Sequence, residues 1–144
     1  MSDIKFIEGG ISVDYRGQIS HVNDLNMEEI ERFYIIHQHD PSVIRAWHAH
    51  QHEKKWFYVV KGSFTGAFVK IDNWENPSSD LEPEIFHLSA QESRILLVPE
   101  GYANGFKANE PDSVLLVFSN KILSVAVNDS WRYDKDWWMD WNKY

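Results

Sequence analysis

Short segments dominated by apolar residues run along most of the chain, with polar segments between them. Short apolar runs bounded by turn residues are typical of β-strands. The segments are also rich in Val, Ile and aromatic residues, which favour strands. The predicted strands are ISVDY, ERFYIIH, VIRAWHAH, KWFYVVKG, SFTGAFVKID, EIFHLSA, RILLVP and SVLLVFSN, at residues 11–15, 31–37, 43–50, 55–62, 63–72, 84–90, 94–99 and 113–120.

Segments rich in Gly, Pro, Asn, Asp and Ser separate these strands and predict turns. They are DYRGQ, HDPS, PEGYANG, ANEPDS and the longer NWENPSSDLEP, which predicts a surface loop. Only NDLNMEEIER favours a helical turn, with Asn23 or Asp24 as its N-cap. Many short strands without a longer repeat predict an all-β fold, a sandwich or jelly-roll barrel, in one domain spanning residues 1–144.

The C-terminal extension, residues 124–144, is rich in aromatic residues. Its run SWRYDKDWWMDWNKY alternates aromatic and charged side chains. Such a run fits a packed cap, a swapped segment or a dimer contact. Packing against the rest of the domain is the favoured interpretation.

Composition narrows the classes of function. The chain of 144 residues has no cysteine, which excludes disulfides and thiolate metal sites and fits the reducing cytoplasm, the expected location. A formal net charge of −8 argues against nucleic acid as a partner. No signal peptide and no apolar run of bilayer length are visible, so no membrane partner is expected. The seven Trp, eight Phe and six Tyr predict an aromatic core or an oligomer interface.

Three histidines at alternate positions, His48, His50 and His52, stand in the stretch RAWHAHQHEKKWFYVVKG. Imidazoles at this spacing on a strand share one face and resemble half of a metal site. Lys55 follows where a carboxylate ligand is expected, and an ammonium group cannot bind a metal while it keeps its proton. Glu53 is a possible substitute, but alternation places it on the opposite face. We therefore expect neither a metal nor another cofactor.

Without a metal, His48, His50 and Lys55 form a set suited to proton abstraction. Neutral imidazole is the usual general base near pH 7. A lysine in the same cavity stabilises the negative charge that develops on a carbonyl oxygen when its α-proton is removed. A cationic neighbour also lowers the pKa of a histidine and keeps it in the basic form. The three residues predict proton abstraction next to a ketone, and His52 is expected at the rim or surface.

Two longer patterns resemble the signatures of the cupins, a superfamily of jelly rolls. The signature G-x5-H-x-H-x3,4-E-x6-G is matched up to Gly62, except that Ser42 stands at the first glycine and Lys55 at the metal-binding glutamate. The signature P-x-G-x2-H-x3-N is matched from Pro99 to position 104, where Asn104 stands in place of its histidine. The resemblance implies a cupin-type jelly-roll barrel that lacks two of the four usual metal ligands.

A narrower resemblance is carried by DYRG, ERFYII, RAWHAH and LSAQESRILLVPEGYANGF, across residues 10–123. These segments are similar to the sugar-nucleotide branch of the cupins, the dTDP-4-dehydrorhamnose 3,5-epimerases and the dTDP-4-keto-6-deoxyglucose 3,4-ketoisomerases. The resemblance implies a metal-independent isomerase that acts on a nucleotide-linked 4-keto-6-deoxy sugar in surface-polysaccharide biosynthesis. It also implies a homodimer.

The same resemblance implies catalytic roles for three residues. His48 matches the base that removes the proton next to the C4 ketone. His50 matches the second histidine of the ketoisomerases, a candidate for returning the proton. Lys55 matches the epimerase lysine that stabilises the enolate.

Substrate-binding roles follow from the resemblance for five further residues. Arg16 matches an arginine that reaches the nucleotide across a dimer interface, and Arg45 is expected beside the sugar or the diphosphate. Asp134 falls near an aspartate that supports the histidine in the epimerases. Asn104 replaces an epimerase histidine, and Lys121 stands in place of a tyrosine pair that includes the general acid. These departures favour a reaction at one centre, either 3,4-ketoisomerisation or epimerisation at C3.

Two alternatives remain open at this point. The first is a metal-dependent cupin enzyme that uses His48, His50 and Glu53. The second is a non-catalytic carbohydrate-binding cupin, in which Trp47, Trp56 and the tryptophans of the C-terminal extension stack on sugar faces.

Overall fold

Nearly all of the regular secondary structure is β-strand, in a computed structural model that describes residues 2–144. A one-turn helix, α1, spans Leu123–Ala126, and a 3-10 helix spans Trp141–Lys143. No helix within residues 2–144 is long and apolar enough to cross a membrane. Strands β1 to β12 span Lys5–Glu8, Gly10–Asp14, Gly17–His21, Arg32–Gln38, Ile44–Ala49, Lys55–Lys61, Ser63–Lys70, Glu84–Ser89, Arg94–Val98, Tyr102–Ala108, Ser113–Ser119 and Trp131–Arg132.

Ten of these strands form two five-stranded sheets of a jelly roll. The first sheet has the order β1-β9-β6-β11-β4, and the second has the order β12-β5-β10-β7-β8. Strands β2 and β3 pair with each other and form a separate hairpin. The predicted all-β jelly-roll fold is confirmed.

Aromatic side chains from both sheets meet in the core between them. Phe57 of the first sheet lies 4.7 Å from Phe106 of the second, measured between ring centroids. Phe68 contacts both rings, at 5.8 and 5.6 Å. Each buried side chain of this size stabilises the fold by roughly 1.5–3 kcal/mol. The strands of the two sheets thus direct one apolar face into this core.

The C-terminal extension packs on the outer face of the second sheet, as the favoured interpretation expects. Trp141 is 5% exposed, and its ring centroid lies 5.4 Å from that of Trp47 on β5. Gly105 permits this approach, because a Cβ at that position would lie 2.6 Å from the Trp141 ring. Lys107 holds the end of the chain by donating to the Tyr144 carbonyl oxygen at 2.7 Å.

Strand β10 lies where the sequence predicts a turn. The segment PEGYANG contains small residues and glycines, which weaken the strand pattern. In the structure β10 nevertheless pairs with β7 in continuous register, from Tyr102 opposite Lys70 to Ala108 opposite Phe64. Pairing with strands on both sides therefore overrides the weak local preference.

The predicted helical turn at residues 23–32 is wrong. This segment forms isolated turns and an extended approach to β4. Lys54 pairs with Glu29 at 2.9 Å, and Glu31 donates its backbone N–H to the Ser119 carbonyl oxygen at 2.8 Å. These contacts with other parts of the fold replace the backbone bonds of a helix.

Candidate active site

A cavity of about 830 Å³ lies between the two sheets, along β4 and β5. Side chains from β4, β5, β6 and β10 line it, together with residues of α1 and β12. Five of the sequence-predicted site residues line this cavity: Arg45, His48, His50, Lys55 and Asn104. The jelly roll thus gathers residues that are far apart in the chain.

His48 stands where three strands of the second sheet are adjacent. It pairs with Asn104 on β10 and with Arg132 on β12. Its Nε2 lies 2.7 Å from Ser130 Oγ. Its ring centroid is 4.3 Å from that of His50, so the two imidazoles share one wall of the cavity.

The predicted position of Glu53 on the opposite face is wrong. Strand β5 ends at Ala49, and the chain then bends, so strand alternation does not continue to Glu53. The buried Asp129 carboxylate holds the bend by accepting the backbone N–H groups of residues 51–53 at 2.8, 2.8 and 3.1 Å. The bend places the Glu53 carboxylate 3.2 Å from His50 Nδ1.

Glu53 and Arg32 form an ion pair in the wall of the cavity. Arg32 Nη2 lies 2.9 Å from Glu53 Oε2, and the Glu53 side chain is completely buried. Ser119 donates its hydroxyl to the same carboxylate oxygen. This pairing compensates for much of the cost of burying a charge.

Lys55 is buried at the start of β6 and points to a tyrosine. Its Nζ donates to the Tyr34 hydroxyl oxygen at 2.9 Å. The Arg32 guanidinium lies over the same ring, 5.1 Å from its centroid. An ammonium group thus occupies the position where a metal-binding cupin has its glutamate.

Burial and positive charge lower the pKa of both cavity histidines. The pKa of His48 falls to about 3, chiefly because burial penalises the charged form, and further because His50, Lys55 and Arg132 lie nearby. The pKa of His50 is lowered by burial and by Lys55, while the neighbouring carboxylates and a backbone carbonyl oppose this shift. Both imidazoles are therefore neutral, and able to accept a proton, near pH 7.

The cavity wall carries more positive than negative charge. Glu53 is its carboxylate, and it is already paired with Arg32. Three further cations line the wall without a carboxylate partner in the described part of the chain: Arg45, Lys55 and Arg132. The cavity therefore favours an anionic ligand, although the whole chain is acidic.

Three predicted substrate-binding residues lie outside the lining of the cavity. Arg16 is exposed at the tip of the β2–β3 hairpin and pairs with Asp14 at 2.6 Å. Lys121 contributes its backbone carbonyl oxygen, which accepts from Arg32 Nε at 3.0 Å. The Asp134 carboxylate caps the backbone two residues further on, and Asp129 is the aspartate that contacts the histidine segment.

The geometry is relevant to the two alternatives, a metal-dependent cupin enzyme and a carbohydrate-binding cupin. Among residues 2–144, no three His, Asp or Glu side chains are grouped to hold a metal ion. Trp47 and Trp56 are 1% and 2% exposed, so neither offers a ring face to a sugar. His52 is exposed, as expected of a rim residue.

Sequence reasoning missed four residues that line the cavity, namely Arg32, Tyr34, Ser130 and Arg132. It also missed Asp129, which holds the bend beside the cavity. Arg32 and Tyr34 stand in the segment ERFYII, whose composition predicts a strand but does not indicate which side chains face a cavity. The other three follow α1, about 80 residues after the histidines. The pairing of β12 with β5 and the hydrogen bonds of Asp129 to residues 51–53 bring them next to the histidines.

Fold and cavity together define a jelly-roll protein with a pocket lined by histidines and cations. The chain belongs to the family FdtA: WxcM-like, C-terminal, whose profile matches residues 2–137. No curated protein matches the chain significantly. The resemblance to the sugar-nucleotide cupins is confirmed by this family and by the solved structures that share the fold.

Three of these solved structures illustrate the similarity. The dTDP-4-dehydrorhamnose 3,5-epimerase of Bacillus anthracis str. Ames, with TDP and PPi bound, is 20% identical, with a TM-score of 0.77 over 96% of this chain and 85% of that chain. QdtA, a sugar 3,4-ketoisomerase of Thermoanaerobacterium thermosaccharolyticum in complex with TDP, is 20% identical, with a TM-score of 0.71 over 91% and 88%. ChmJ, a 3'-monoepimerase of Streptomyces bikiniensis in complex with dTDP-quinovose, is 14% identical, with a TM-score of 0.75 over 92% and 70%.

Proposed function

We propose that the protein is an isomerase that acts on a nucleotide-linked 4-keto-6-deoxy sugar by proton abstraction next to the ketone. The observation that carries this proposal is the cavity itself, in which two neutral imidazoles share a wall with cations that lack carboxylate partners. Neutral imidazole removes a proton, and a cation stabilises the enolate that results.

The cations of the cavity and the ligands of the solved relatives support a dTDP-sugar as the substrate. The solved relatives hold TDP or dTDP-quinovose on the same fold. Arg45 and Arg132 line the cavity and are free to pair with a diphosphate. Arginine binds phosphate oxygens through paired donors, which suits this role.

His48 is the proposed base for the proton at C3. Its pKa of about 3 describes the free protein, in which burial and neighbouring cations disfavour the charged ring. A bound diphosphate brings negative charge to Arg132. This charge offsets the effect of Arg132 and raises the pKa of His48 toward the range of an effective base.

Lys55 and Asn104 are the proposed partners of the developing enolate oxygen. Lys55 Nζ is oriented by Tyr34 and supplies a full positive charge. Asn104 pairs with His48 across two strands and lines the same cavity. Fixed donors aimed at an oxygen that gains charge are the largest single contribution in many such reactions.

The shared wall favours 3,4-ketoisomerisation over epimerisation at C3. In the ketoisomerisation His48 takes the C3 proton, this proton passes on to His50 Nε2, and His50 delivers it to C4. The hydroxyl proton passes from O3 to O4 as the ketone moves to C3. Two imidazoles 4.3 Å apart reach adjacent carbons from one face of the sugar. Epimerisation at C3 is the second candidate, and it needs a donor on the opposite face.

We further propose that the protein forms a homodimer in the cytoplasm. The β2–β3 hairpin projects Val13, Tyr15 and Ile19, which are 73%, 97% and 65% exposed, and carries Arg16 at its tip. In a dimer this hairpin would cover its apolar residues and bring Arg16 to the nucleotide of the partner chain. Arg16→Ala is then expected to raise KM, and a monomer in solution would contradict this arrangement.

Product analysis by NMR after incubation with a panel of dTDP-4-keto-6-deoxy sugars tests the proposed function. We expect a 3-keto product from dTDP-4-keto-6-deoxyglucose, with full activity after treatment with a chelator. Loss of activity on chelation, with recovery on adding Fe, Mn or Zn, would favour the metal-dependent alternative. Binding without turnover of any member of the panel would favour the carbohydrate-binding alternative.

A further inference from the structure

His50 carries the proton of its neutral form on Nδ1. That nitrogen lies 2.7 Å from the backbone carbonyl oxygen of Asp129, and a carbonyl oxygen only accepts hydrogen bonds. The Nδ1 atom must therefore be the donor. The other nitrogen, Nε2, is buried without a hydrogen-bond partner among the described residues, so its lone pair is free. With this tautomer the ring offers the cavity a proton acceptor.

A buried carboxylate, that of Glu53, lies beside the same ring. Its Oε2 is held by Arg32 and Ser119, while its Oε1 lies 3.2 Å from His50 Nδ1. Oε1 accepts no hydrogen bond within residues 2–144, because the Nδ1–H group is directed at the Asp129 carbonyl. A buried charged oxygen without a hydrogen bond is destabilising. It persists here next to a ring that gains positive charge when Nε2 is protonated.

We propose that Glu53 is a positioning residue for proton transfer: its charge, fixed by Arg32 and Ser119, stabilises the imidazolium that forms when His50 takes up a proton at Nε2. The part of this inference that concerns turnover rests on the proposed function. The part that concerns the state of His50 rests on the geometry alone.

Other titratable groups around His50 also influence whether its ring takes up a positive charge. His48 on β5 and Lys55 at the start of β6 disfavour a positive charge on the ring. Asp129 and Glu53 favour it. Removal of the Glu53 charge therefore lowers the pKa of His50 still further below its ordinary value.

Glu53→Gln is the informative variant, because it removes the charge and keeps the shape of the side chain. We expect kcat to fall roughly 10- to 100-fold, the range for loss of a group that orients a functional histidine, with little change in KM. The acid limb of kcat/KM moves to lower pH. Glu53→Asp, which keeps the charge, restores most of kcat. Glu29→Gln is the matched control, since Glu29 pairs with Lys54 at the surface and lies outside the cavity.

¹⁵N NMR of histidine-labelled protein without substrate reports the state of His50 directly. We expect the Nδ1–H tautomer at neutral pH in the wild type and a lower pH of titration in Glu53→Gln than in Glu29→Gln. An Nε2–H tautomer in the wild type would overturn the proposal, even if no variant at position 53 folds. Equal His50 titration in the two Gln variants would overturn it as well.

The two proposals fail in different measurements. If no sugar nucleotide is turned over, the proposed function is wrong, yet a His50 titration that follows the charge at position 53 still supports the role of Glu53. If turnover occurs while the titration of His50 does not depend on the charge at position 53, the role of Glu53 is wrong and the proposed function stands.

Discussion

The Lys55 ammonium group donates a 2.9 Å hydrogen bond to the Tyr34 hydroxyl oxygen, inside a cavity that also holds His48 and His50. Strands β6 and β4 supply the two residues, and β11 lies between those strands in the first sheet. The contact fixes a positive charge without neutralising it. The first sheet therefore holds a cation at the position where the proposed mechanism needs one to stabilise an enolate.

Replacement of Lys55 by Met should lower kcat by about 10²–10³, as expected for loss of one donor to a developing oxyanion. Tyr34→Phe should have a smaller effect, since it removes only the group that orients Lys55. Steady-state kinetics with the sugar nucleotide measure both. Lys54→Met is the matched control, because Lys54 pairs with Glu29 and does not line the cavity. Equal kcat values for the two Met variants would disprove the role of Lys55.

The lowered pKa of His48 predicts a pH-dependent contribution to stability. The unfolded chain protonates this residue near its ordinary pKa of 6.5, whereas the folded protein does so only near a pKa of about 3. Between these values the unfolded state binds more protons, so the free energy of unfolding rises with pH. His48→Gln should flatten this slope, as measured by urea denaturation at several pH values between about 4 and 7. Parallel curves for variant and wild type would show that His48 titrates normally when folded.

Removal of the Asp129 charge should weaken the bend that presents His50 and Glu53. Its carboxylate accepts three backbone hydrogen bonds from residues 51–53, and Asp129→Asn leaves them without a charged acceptor. We expect a loss of about 1–3 kcal/mol in the free energy of unfolding, together with a lower kcat. Asp134→Asn serves as the comparison in denaturation and kinetics. A stable, fully active Asp129→Asn protein would show that the bend forms without this charge.

The packed C-terminal extension predicts a large effect on stability at Trp141. This side chain is 5% exposed against the second sheet, and Trp141→Ala should cost about 3–5 kcal/mol through the cavity it leaves. Trp137→Ala, at a residue 45% exposed, should cost about 1 kcal/mol or less. Chemical denaturation compares the two. Similar losses would mean that the extension does not depend on burial of Trp141.

The strands rich in β-branched and aromatic residues could be predicted from the sequence. SVLLVFSN predicts residues 113–120 as a strand, and the structure has β11 at Ser113–Ser119. Strand β10 was not predictable from the sequence, because its small residues Ala103 and Gly105 do not favour a strand. They are small because large side chains pack against them. The space for them is set by the rings of Trp47 and Trp141, which come from distant parts of the chain.

The site residues likewise differ in whether the neighbouring sequence or a distant part of the chain determines their position. His48, His50 and Lys55 share one short stretch, so their spacing alone identified them as a group. The position of Glu53 was predicted wrongly, because alternation holds only while the strand lasts. The bend that ends the strand depends on Asp129, more than 70 residues later in the chain. No local pattern reports a contact of that kind.

Incubation of the protein with dTDP-4-keto-6-deoxyglucose in D₂O tests the central claim most directly. Mass spectrometry and ¹H NMR of the recovered sugar measure deuterium at C3 and C4. We predict that the wild-type protein introduces deuterium at C4 of the 3-keto product and, through the reverse reaction, at C3 of the recovered 4-keto substrate. His48→Asn should slow this incorporation by about 10²–10⁴. A recovered sugar without deuterium, or equal incorporation by wild type and His48→Asn, would contradict proton abstraction by His48.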